Sequence, residues 1–409
     1  MKNVTFVAGI VILSMSFVLR GMEETQSFKD LYEKSSEAVE KIQDVTILNS
    51  YGNWESHILC VDLSTRNLRD LKGISTLHVI DQSPYADKSP FPLAQARSLG
   101  IKCDHNHLTS IPQELKTFTR LRLLQLSYNK LREIPAELST LDNLNYLELA
   151  HNELKQLPDS LQTLTQLREL NLSANKFKRV PHVISSFVIL EVLELSHNTI
   201  SELPLYVSTL EKLAVLNLSS NNFTTLPEAL KHLIRLRVLD MSDNHLQQLQ
   251  DIKSDSLVAL NLSNNYLEEL PPTISNLQSL QCLYLYNNKL KNMPKELNLP
   301  GLIHLTLSCN RITKLPISLL CNKINRRNLY KMLYVFDIRD NNLDQLKTEQ
   351  PTLVKTILYQ LAKSEDLQFF YGDFTGYLTL LPLDLHRLLW EFILYAEYSV
   401  RKSKNAQSK

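Results

Sequence analysis

The chain has 409 residues, 44% of them hydrophobic, and a formal net charge of +1. This balance gives no basic excess for phosphates and enough apolar material for a core, which excludes a general nucleic-acid-binding protein and a disordered chain. The 80 leucines against 8 glycines predict a repeat that reuses leucine as its core residue. The five cysteines include no CxxC pair and no Cys/His cluster, so we expect neither a metal site nor a cofactor.

Residues 1–21 predict an export signal or a membrane anchor. Lys2 precedes an uncharged stretch over residues 4–19, and Arg20 and Gly21 follow it. A basic start, a short apolar run and a small residue near its end favour a secretory signal that is cleaved after Gly21. An uncleaved anchor and a buried helix stay open as alternatives. Cleavage predicts a secreted or periplasmic protein, and retention predicts a membrane-anchored or cytoplasmic one with membrane contact only through this segment.

Residues 22–56 predict an N-terminal helical cap. Between Phe28 and Val45 the apolar residues recur at helical spacing, with charged residues between them. An amphipathic helix there would cover the apolar end of the segment that follows.

Residues 57–347 contain about twelve copies of one repeat. The segment Leu121-x-x-Leu124-x-Leu126-x-x-Asn129-x-Leu131 recurs mostly at intervals of 23 residues. Eleven copies carry the asparagine: Asn106, Asn129, Asn152, Asn175, Asn198, Asn221, Asn244, Asn265, Asn288, Asn310 and Asn341. A single copy is too small to bury its apolar face, so neighbouring copies must stack into a solenoid.

This LxxLxLxxNxL pattern resembles the leucine-rich repeat family, and its 23-residue form is similar to Ras-suppressor-like and plant intracellular Ras-group-related repeat proteins. The resemblance implies an α/β solenoid with a curved parallel sheet on its concave face, short helices or turns on its convex face, and helical caps. It implies that the asparagines form an inward ladder that hydrogen-bonds the backbone. Nine copies end in an apolar-Pro pair, and each proline is expected in the first turn of a short convex helix.

The array departs from its pattern in three places. Residues 72–97 form an irregular stretch after a degenerate first copy. The copy around Asn244 lacks its proline, and the next copy is two residues short. A basic insertion lies near residues 321–332 and is interpreted as a solvated loop or a contact site.

Residues six, four and two positions before each ladder asparagine are expected on the concave surface, because side chains alternate along a strand. Their bases are Lys102 and Arg339. Their acids are Asp104, Glu148, Glu169, Glu194, Asp240 and Asp337. An acidic face favours a protein partner with a basic segment, although Asn and Ser in such columns can also be solvated filler. The candidate partner-binding residues, with tyrosines as aromatic anchors, are Tyr146, Glu148, Glu169, Glu194, Asp240, Tyr284 and Tyr286.

No motif for phosphate cradling, metalloprotease chemistry or a nucleophile elbow occurs in the chain. A smooth open arc is also expected to offer no closed pocket. We therefore expect no catalytic residues, no enzyme activity and no small-molecule substrate. His105, His107, His151 and His197 lie beside the asparagine turn and are interpreted as exposed polar residues.

Residues 348–409 predict a C-terminal helical region and a basic tail, with helices over 351–363 and 382–400. Their first expected role is to cap the solenoid. Residues 381–393 look distantly like an F-box-like adaptor helix, and a membrane-surface helix is a further alternative. The sequence thus predicts a protein-binding scaffold, with an adaptor that recruits ubiquitin or signalling machinery as the alternative.

Overall fold

The computed structural model describes residues 46–49, 59–71, 74, 78–79, 91–92, 99–252, 254–316, 335–337 and 340–341. These residues all belong to one compact unit, Thr46–Lys409. The predicted signal or anchor, the helix over 28–45, the insertion at 321–332 and the C-terminal helical region lie outside the described residues.

Fifteen strands occur among the described residues. In chain order they are β1 Thr46–Asn49, β2 Leu59–Asp62, β3 His78–Val79, β4 Phe91–Pro92, β5 Leu99–Lys102, β6 Leu121–Gln125, β7 Tyr146–Glu148, β8 Glu169–Asn171, β9 Val192–Glu194, β10 Val215–Asn217, β11 Val238–Asp240, β12 Ala259–Asn261, β13 Cys282–Tyr284, β14 His304–Thr306 and β15 Val335–Asp337. Thirteen of them form one sheet whose strand order follows the chain order. Its first pair, β1 and β2, is antiparallel, and every later pair is parallel.

Two of these strand pairs modify the sequence-based expectations. Strand β1 lies at the end of the range 22–56, directly after the predicted helix over 28–45, and it extends the sheet. Strands β3 and β4 lie inside the stretch 72–97 that was expected to be irregular, and they pair with each other as a small antiparallel sheet. Two parallel strands need a crossover connection of about a dozen residues or more. The connection from β1 to β2 and that from β3 to β4 are shorter, so both pairs are antiparallel.

Short 3₁₀ helices follow the strands of the regular repeats, as predicted. Among the described residues they are Gln113–Thr117, Ala136–Thr140, Asp159–Thr163, His182–Ser186, Leu205–Thr209, Glu228–His232 and Pro272–Asn276. A proline immediately precedes each helix with extended backbone, for example Pro135 at φ −68° and ψ 145°. The proline was predicted inside the first turn of the helix, whereas it lies directly before the helix, one residue earlier. Proline fits the preceding position because its fixed φ suits the extended conformation there.

The copy without a proline has a different connection. Between β11 and β12 the described residues contain no 3₁₀ helix. Ser256 Oγ instead donates to the carbonyl oxygens of Ile234 and Leu236, each at 2.8 Å. A serine hydroxyl thus links this copy to the backbone of the preceding copy.

The core is a stack of leucines in register. Leu147, Leu170, Leu193 and Leu216 pair along four neighbouring strands, and each is at most 1% exposed. Burial of one such side chain contributes about 1.5–3 kcal/mol relative to its exposure to water. The strand residues on either side of each leucine point away from this core and form the concave face.

The ladder asparagines lie where the chain leaves the strands. Asn198 Nδ2 donates to the carbonyl oxygens of Leu172, Leu195 and Ser196 at 3.0–3.1 Å, and its Oδ1 accepts from the Phe177 amide at 3.0 Å. One amide side chain thereby joins the backbones of two successive repeats. Because the segments are buried, the ladder satisfies polar groups that would otherwise have no partner.

Candidate functional site

The seven candidate binding residues share the outward face of the sheet or its border. Tyr146 and Glu148 flank a buried leucine on β7, and Glu169 lies beside Tyr146 on β8. Glu194 and Asp240 are the last residues of β9 and β11. The central position of each three-residue strand is buried, which directs both flanking side chains outward.

The two tyrosines of the later repeats lie apart from the carboxylates. Tyr284 ends β13, two strands beyond Asp240, and is partly buried. Burial is the main cause that raises the pKa of its phenol. Tyr286 follows two residues later and is 42% exposed.

Acids and amides alternate along the central column of the face. Strand register places Glu148 beside Asn171, and Asn171 beside Glu194. The alternation continues through the neighbouring residues Asn217, Asp240 and Asn261. Two successive carboxylates are therefore separated by two strand spacings, about 9.4–9.8 Å. We call the set Glu148, Asn171, Glu194, Asn217, Asp240 and Asn261 the acid–amide column.

A serine orients each amide in this column. Asn171 Oδ1 accepts from the amide nitrogen and the hydroxyl of Ser173 at 3.0 and 2.6 Å. With its oxygen held in this way, the Asn171 side chain turns its nitrogen towards Glu148, to which it is hydrogen-bonded. Ser219 holds Asn217 with the same geometry, at 3.0 and 2.7 Å.

The third pair of the column shows the same arrangement with an aspartate. Asn261 Nδ2 donates to Asp240 Oδ2 at 3.0 Å, while Asn261 Oδ1 accepts from the Ser263 amide at 3.1 Å. Asp240 Oδ1 in turn accepts from the amide and hydroxyl of Ser242 at 2.8 and 2.6 Å. Both carboxylate oxygens therefore have fixed donors, and the side chain has a defined orientation.

Partial burial makes these carboxyl groups weaker acids than exposed ones. Desolvation raises the pKa of Glu148 to about 7 and that of Glu194 to about 7, against an ordinary value of 4.5. The amide hydrogen bonds lower both values, but by less than burial raises them. Burial also raises the pKa of Glu169 and Asp240. The sequence suggested fully exposed charges, whereas the folded face holds carboxyls that ionise near neutral pH.

The first repeats balance their charges locally. Lys102 is buried next to Asp104, and its charge lowers the pKa of that carboxyl. Burial outweighs this effect, so the pKa of Asp104 rises to about 6. Strand β15 contains Asp337, paired in register with Thr306, and Arg339 lies outside the described residues.

A stack of aromatic rings borders the face and was missed by the sequence reasoning. His105, Tyr128 and His151 occupy the position before successive ladder asparagines. Their ring centroids are 4.1 and 4.0 Å apart, with interplanar angles of 11°. The repeat period already places these residues in one column, so alignment of the copies would have been enough to find the stack.

An open groove lies outside the strand face. It measures about 730 Å³ and contains Ala214 and Arg237, the residues immediately before β10 and β11. Lys212 and Arg235 also line it, and Ile234 at its border is 72% exposed. Three bases and one acid, Glu191, line the groove, so it is basic where the concave face is acidic.

The described residues contain neither a metal-binding cluster nor a membrane-spanning helix. In this part of the chain, no group of three His, Cys, Asp or Glu side chains is placed to hold a metal ion. No helix within the described ranges is long and apolar enough to cross a membrane.

An in-register parallel sheet, single-turn helices and an inward asparagine ladder define a solenoid repeat protein. Comparison with protein families gives the type of repeat. The "Leucine rich repeat" family matches residues 100–154, 119–177 and 190–246, and a second leucine-rich repeat family matches 256–277. The chain is thus built on leucine-rich repeats, which confirms the family resemblance of its sequence.

Solved structures with similarity to the chain include leucine-rich repeat proteins from bacteria and plants. A leucine-rich repeat protein of Leptospira interrogans is 27% identical over 63% of this chain and 78% of its own, with a TM-score of 0.46. The Arabidopsis receptor kinase HAESA, in complex with the peptide hormone IDA and its co-receptor, is 23% identical over 59% of this chain, with a TM-score of 0.44. The functional domain of InlJ from Listeria monocytogenes is 22% identical over 64% of this chain, with a TM-score of 0.45.

The matched part spans 50% of the HAESA chain and 65% of the InlJ chain. A comparison with curated protein sequences finds no match.

Proposed function

We propose that this protein is a non-enzymatic scaffold that binds a protein partner through its concave face, and that the partner contributes a basic segment. The observation that supports this most directly is the acid–amide column. Its carboxylates Glu148, Glu194 and Asp240 recur every second strand, and each has a neighbouring amide nitrogen directed towards it. Oriented side chains lose less conformational entropy on binding than free ones.

The raised pKa values explain why the partner should be cationic. In the free protein, Glu148 and Glu194 ionise only near pH 7, because burial disfavours the charged form. A lysine or arginine beside either carboxyl favours the ionised form and lowers its pKa. A basic segment should therefore bind with release of protons at neutral pH, and a neutral segment gains no ion pair from these groups.

A charge-removal variant tests the proposal without a change in side-chain size. The variant is Glu148→Gln, Glu194→Gln, Asp240→Asn, and its matched control is Glu133→Gln, Glu202→Gln, Glu211→Gln. The control residues are exposed, lie outside the strands and equal the replaced acids in number. We expect affinity capture, quantified by mass spectrometry, to lose specific proteins with the first variant and to keep them with the control.

For an isolated partner, the loss of affinity should be about tenfold or more, equivalent to about 1.4 kcal/mol. Equal capture by both variants would show that binding does not use the acid–amide column. Arg235→Ala, Arg237→Ala would then test the basic groove as the binding surface.

We further propose that residues 1–21 direct export and are removed. The basic start and the short apolar run of the sequence support this. The intact mass of the mature protein should correspond to a chain that begins at Met22. A soluble species that retains Met1 would contradict it.

A further inference from the structure

The position before each ladder asparagine forms a column of left-handed residues. His105, Tyr128, His151, Ala174 and His197 have φ values of 54°, 56°, 52°, 50° and 52°. Their backbone hydrogen bonds run in the same register, as in the bonds from the His151 and Ala174 amides to the carbonyl oxygens of Ser173 and Ser196, at 2.9 and 2.8 Å. Successive side chains in this column therefore follow one another at the strand spacing, about 4.7–4.9 Å.

At Tyr128 this spacing accommodates an aromatic ring between two neighbouring side chains. Its ring lies between the imidazoles of His105 and His151, with centroid distances of 4.1 and 4.0 Å and interplanar angles of 11° on both sides. Two histidines two repeats apart thus hold one ring of the intervening repeat between them. Offset stacking at such distances is favourable for aromatic pairs.

A second pair of histidines has the same spacing, but no aromatic ring lies between them. His151 and His197 are also two repeats apart, and the residue between them is Ala174, whose side chain is a single methyl group. By the strand spacing, their backbones are about 9.4–9.8 Å apart, the separation that also applies to His105 and His151. Both histidines are exposed. By the same spacing, we expect the space above Ala174 to be about one aromatic ring thick.

The position of this slot relates it to the acid–amide column. Ala174 follows Asn171 in the same repeat, and Asn171 lies between Glu148 and Glu194 in strand register. Burial lowers the pKa of His151, with smaller contributions from His197 and His105, which favours the neutral form of its ring. A neutral imidazole can stack on another ring without the loss of a hydrated charge.

We propose that the slot above Ala174, between His151 and His197, binds an aromatic side chain of the partner, with a tyrosine-like phenol ring in the place that Tyr128 fills one slot earlier. This inference deepens the proposed function and relies on it for the source of the ring. That the slot suits an aromatic ring follows only from the column of residues that precede the ladder asparagines. The partner segment would thus combine cationic side chains at Glu148 and Glu194 with an aromatic one between them, at the border of the face.

The probe for the slot is p-cresol, the side-chain analogue of tyrosine, added to the full chain. Histidine ring C–H signals would be recorded by NMR on protein with labelled histidine. We expect ring-current shifts to higher field at His151 and His197, and none at His182, whose ring contacts Tyr206 elsewhere in the fold. Absence of these shifts at millimolar p-cresol, or equal shifts at His182, would overturn the proposal.

A pair of variants tests whether the slot is the site. Ala174→Tyr fills the slot with a residue already tolerated at the same backbone geometry in Tyr128. Ser220→Tyr adds the same residue one repeat beyond His197, where φ is 52°, and leaves the slot open. We expect Ala174→Tyr to abolish the p-cresol response and Ser220→Tyr to retain it. A response that survives in Ala174→Tyr places the binding elsewhere and rejects the slot.

The same two variants identify the occupant in the capture experiment. Loss of the captured proteins with Ala174→Tyr and retention with Ser220→Tyr would support an aromatic side chain from the partner. Capture that is equal in both would reject the partner as its source, even if p-cresol binds. Failure of the proposed function appears separately, as equal capture by the Glu148, Glu194, Asp240 variant and its control.

Discussion

Glu148 and Glu194 are ordinary glutamates by sequence, and their behaviour in the fold depends on neighbours that the sequence does not place. Each lies partly buried between amide-bearing strands, and burial shifts the pKa of both to about 7. The repeat period was sufficient to assign them to one column. It could not show that Ser173 and Ser219 orient the amides, because that depends on side-chain torsions.

The raised pKa values predict that stability falls as the pH rises from about 4.5 to about 7. Over that window the folded protein binds more protons at Glu148 and Glu194 than the unfolded chain does, so unfolding becomes easier with increasing pH. We expect Glu148→Gln, Glu194→Gln to reduce the slope of the free energy of unfolding against pH. The same variant should raise the free energy of unfolding at pH 8 by about 1–3 kcal/mol, a range that discounts for partial exposure.

Urea denaturation at pH 5 and pH 8 measures both effects. The control Glu133→Gln, Glu202→Gln removes two exposed carboxylates and should change neither the slope nor the stability by more than about 0.5 kcal/mol. If wild type and the double glutamine variant show the same slope, the concave carboxyls are not destabilised by burial.

At the scale of strands and helices, the sequence predicted most of the array. The LxL period fixed which residues face the core, since a shift by one residue would expose every central leucine. The proline pairs predicted the convex helices and misplaced the proline by one residue. The groove near Ala214 was not foreseen, because it results from how consecutive connections pack and has no motif of its own.

The spacing of the acid–amide column predicts the form of the basic segment. Carboxylates on every second strand are about 9.4–9.8 Å apart. Three residues of a polyproline II helix advance about 9.3 Å and bring side chains back to the same side. A cation at every third residue therefore matches Glu148, Glu194 and Asp240, whereas same-side residues of a β-strand recur at about 6.6–6.8 Å.

Two peptides of equal composition test this spacing. The peptide (Lys-Pro-Pro)₃ should bind several-fold more tightly than Lys-Lys-Lys followed by six prolines, and its affinity should fall as salt is added. Isothermal titration calorimetry with wild type and the Glu148→Gln, Glu194→Gln, Asp240→Asn variant gives the comparison. Equal affinities of the two peptides would mean that total charge, and not its spacing, determines binding.

At the scale of the whole array, each repeat is supported by its direct neighbours. Leu216 of β10 is fully buried and pairs with Leu193 on one side and Leu239 on the other. The Leu216→Ala change removes these contacts and is expected to cost about 2–5 kcal/mol. Because stability in a solenoid is nearly a sum of repeat and nearest-neighbour contributions, the loss should concentrate in β9, β10 and β11.

Hydrogen exchange resolves this distribution along the chain. We expect amide protection in Leu216→Ala to fall over residues 192–240 and to persist in β6 and β7, while Ile234→Ala, at a residue 72% exposed, leaves the map unchanged. A uniform loss over the sheet would show that the array unfolds as one unit. Local loss would instead separate two parts of the concave surface, because the stack at Tyr128 would stay ordered while Glu194 and Asp240 lose their positions. Partner binding would then fail in Leu216→Ala without any change at a contact residue.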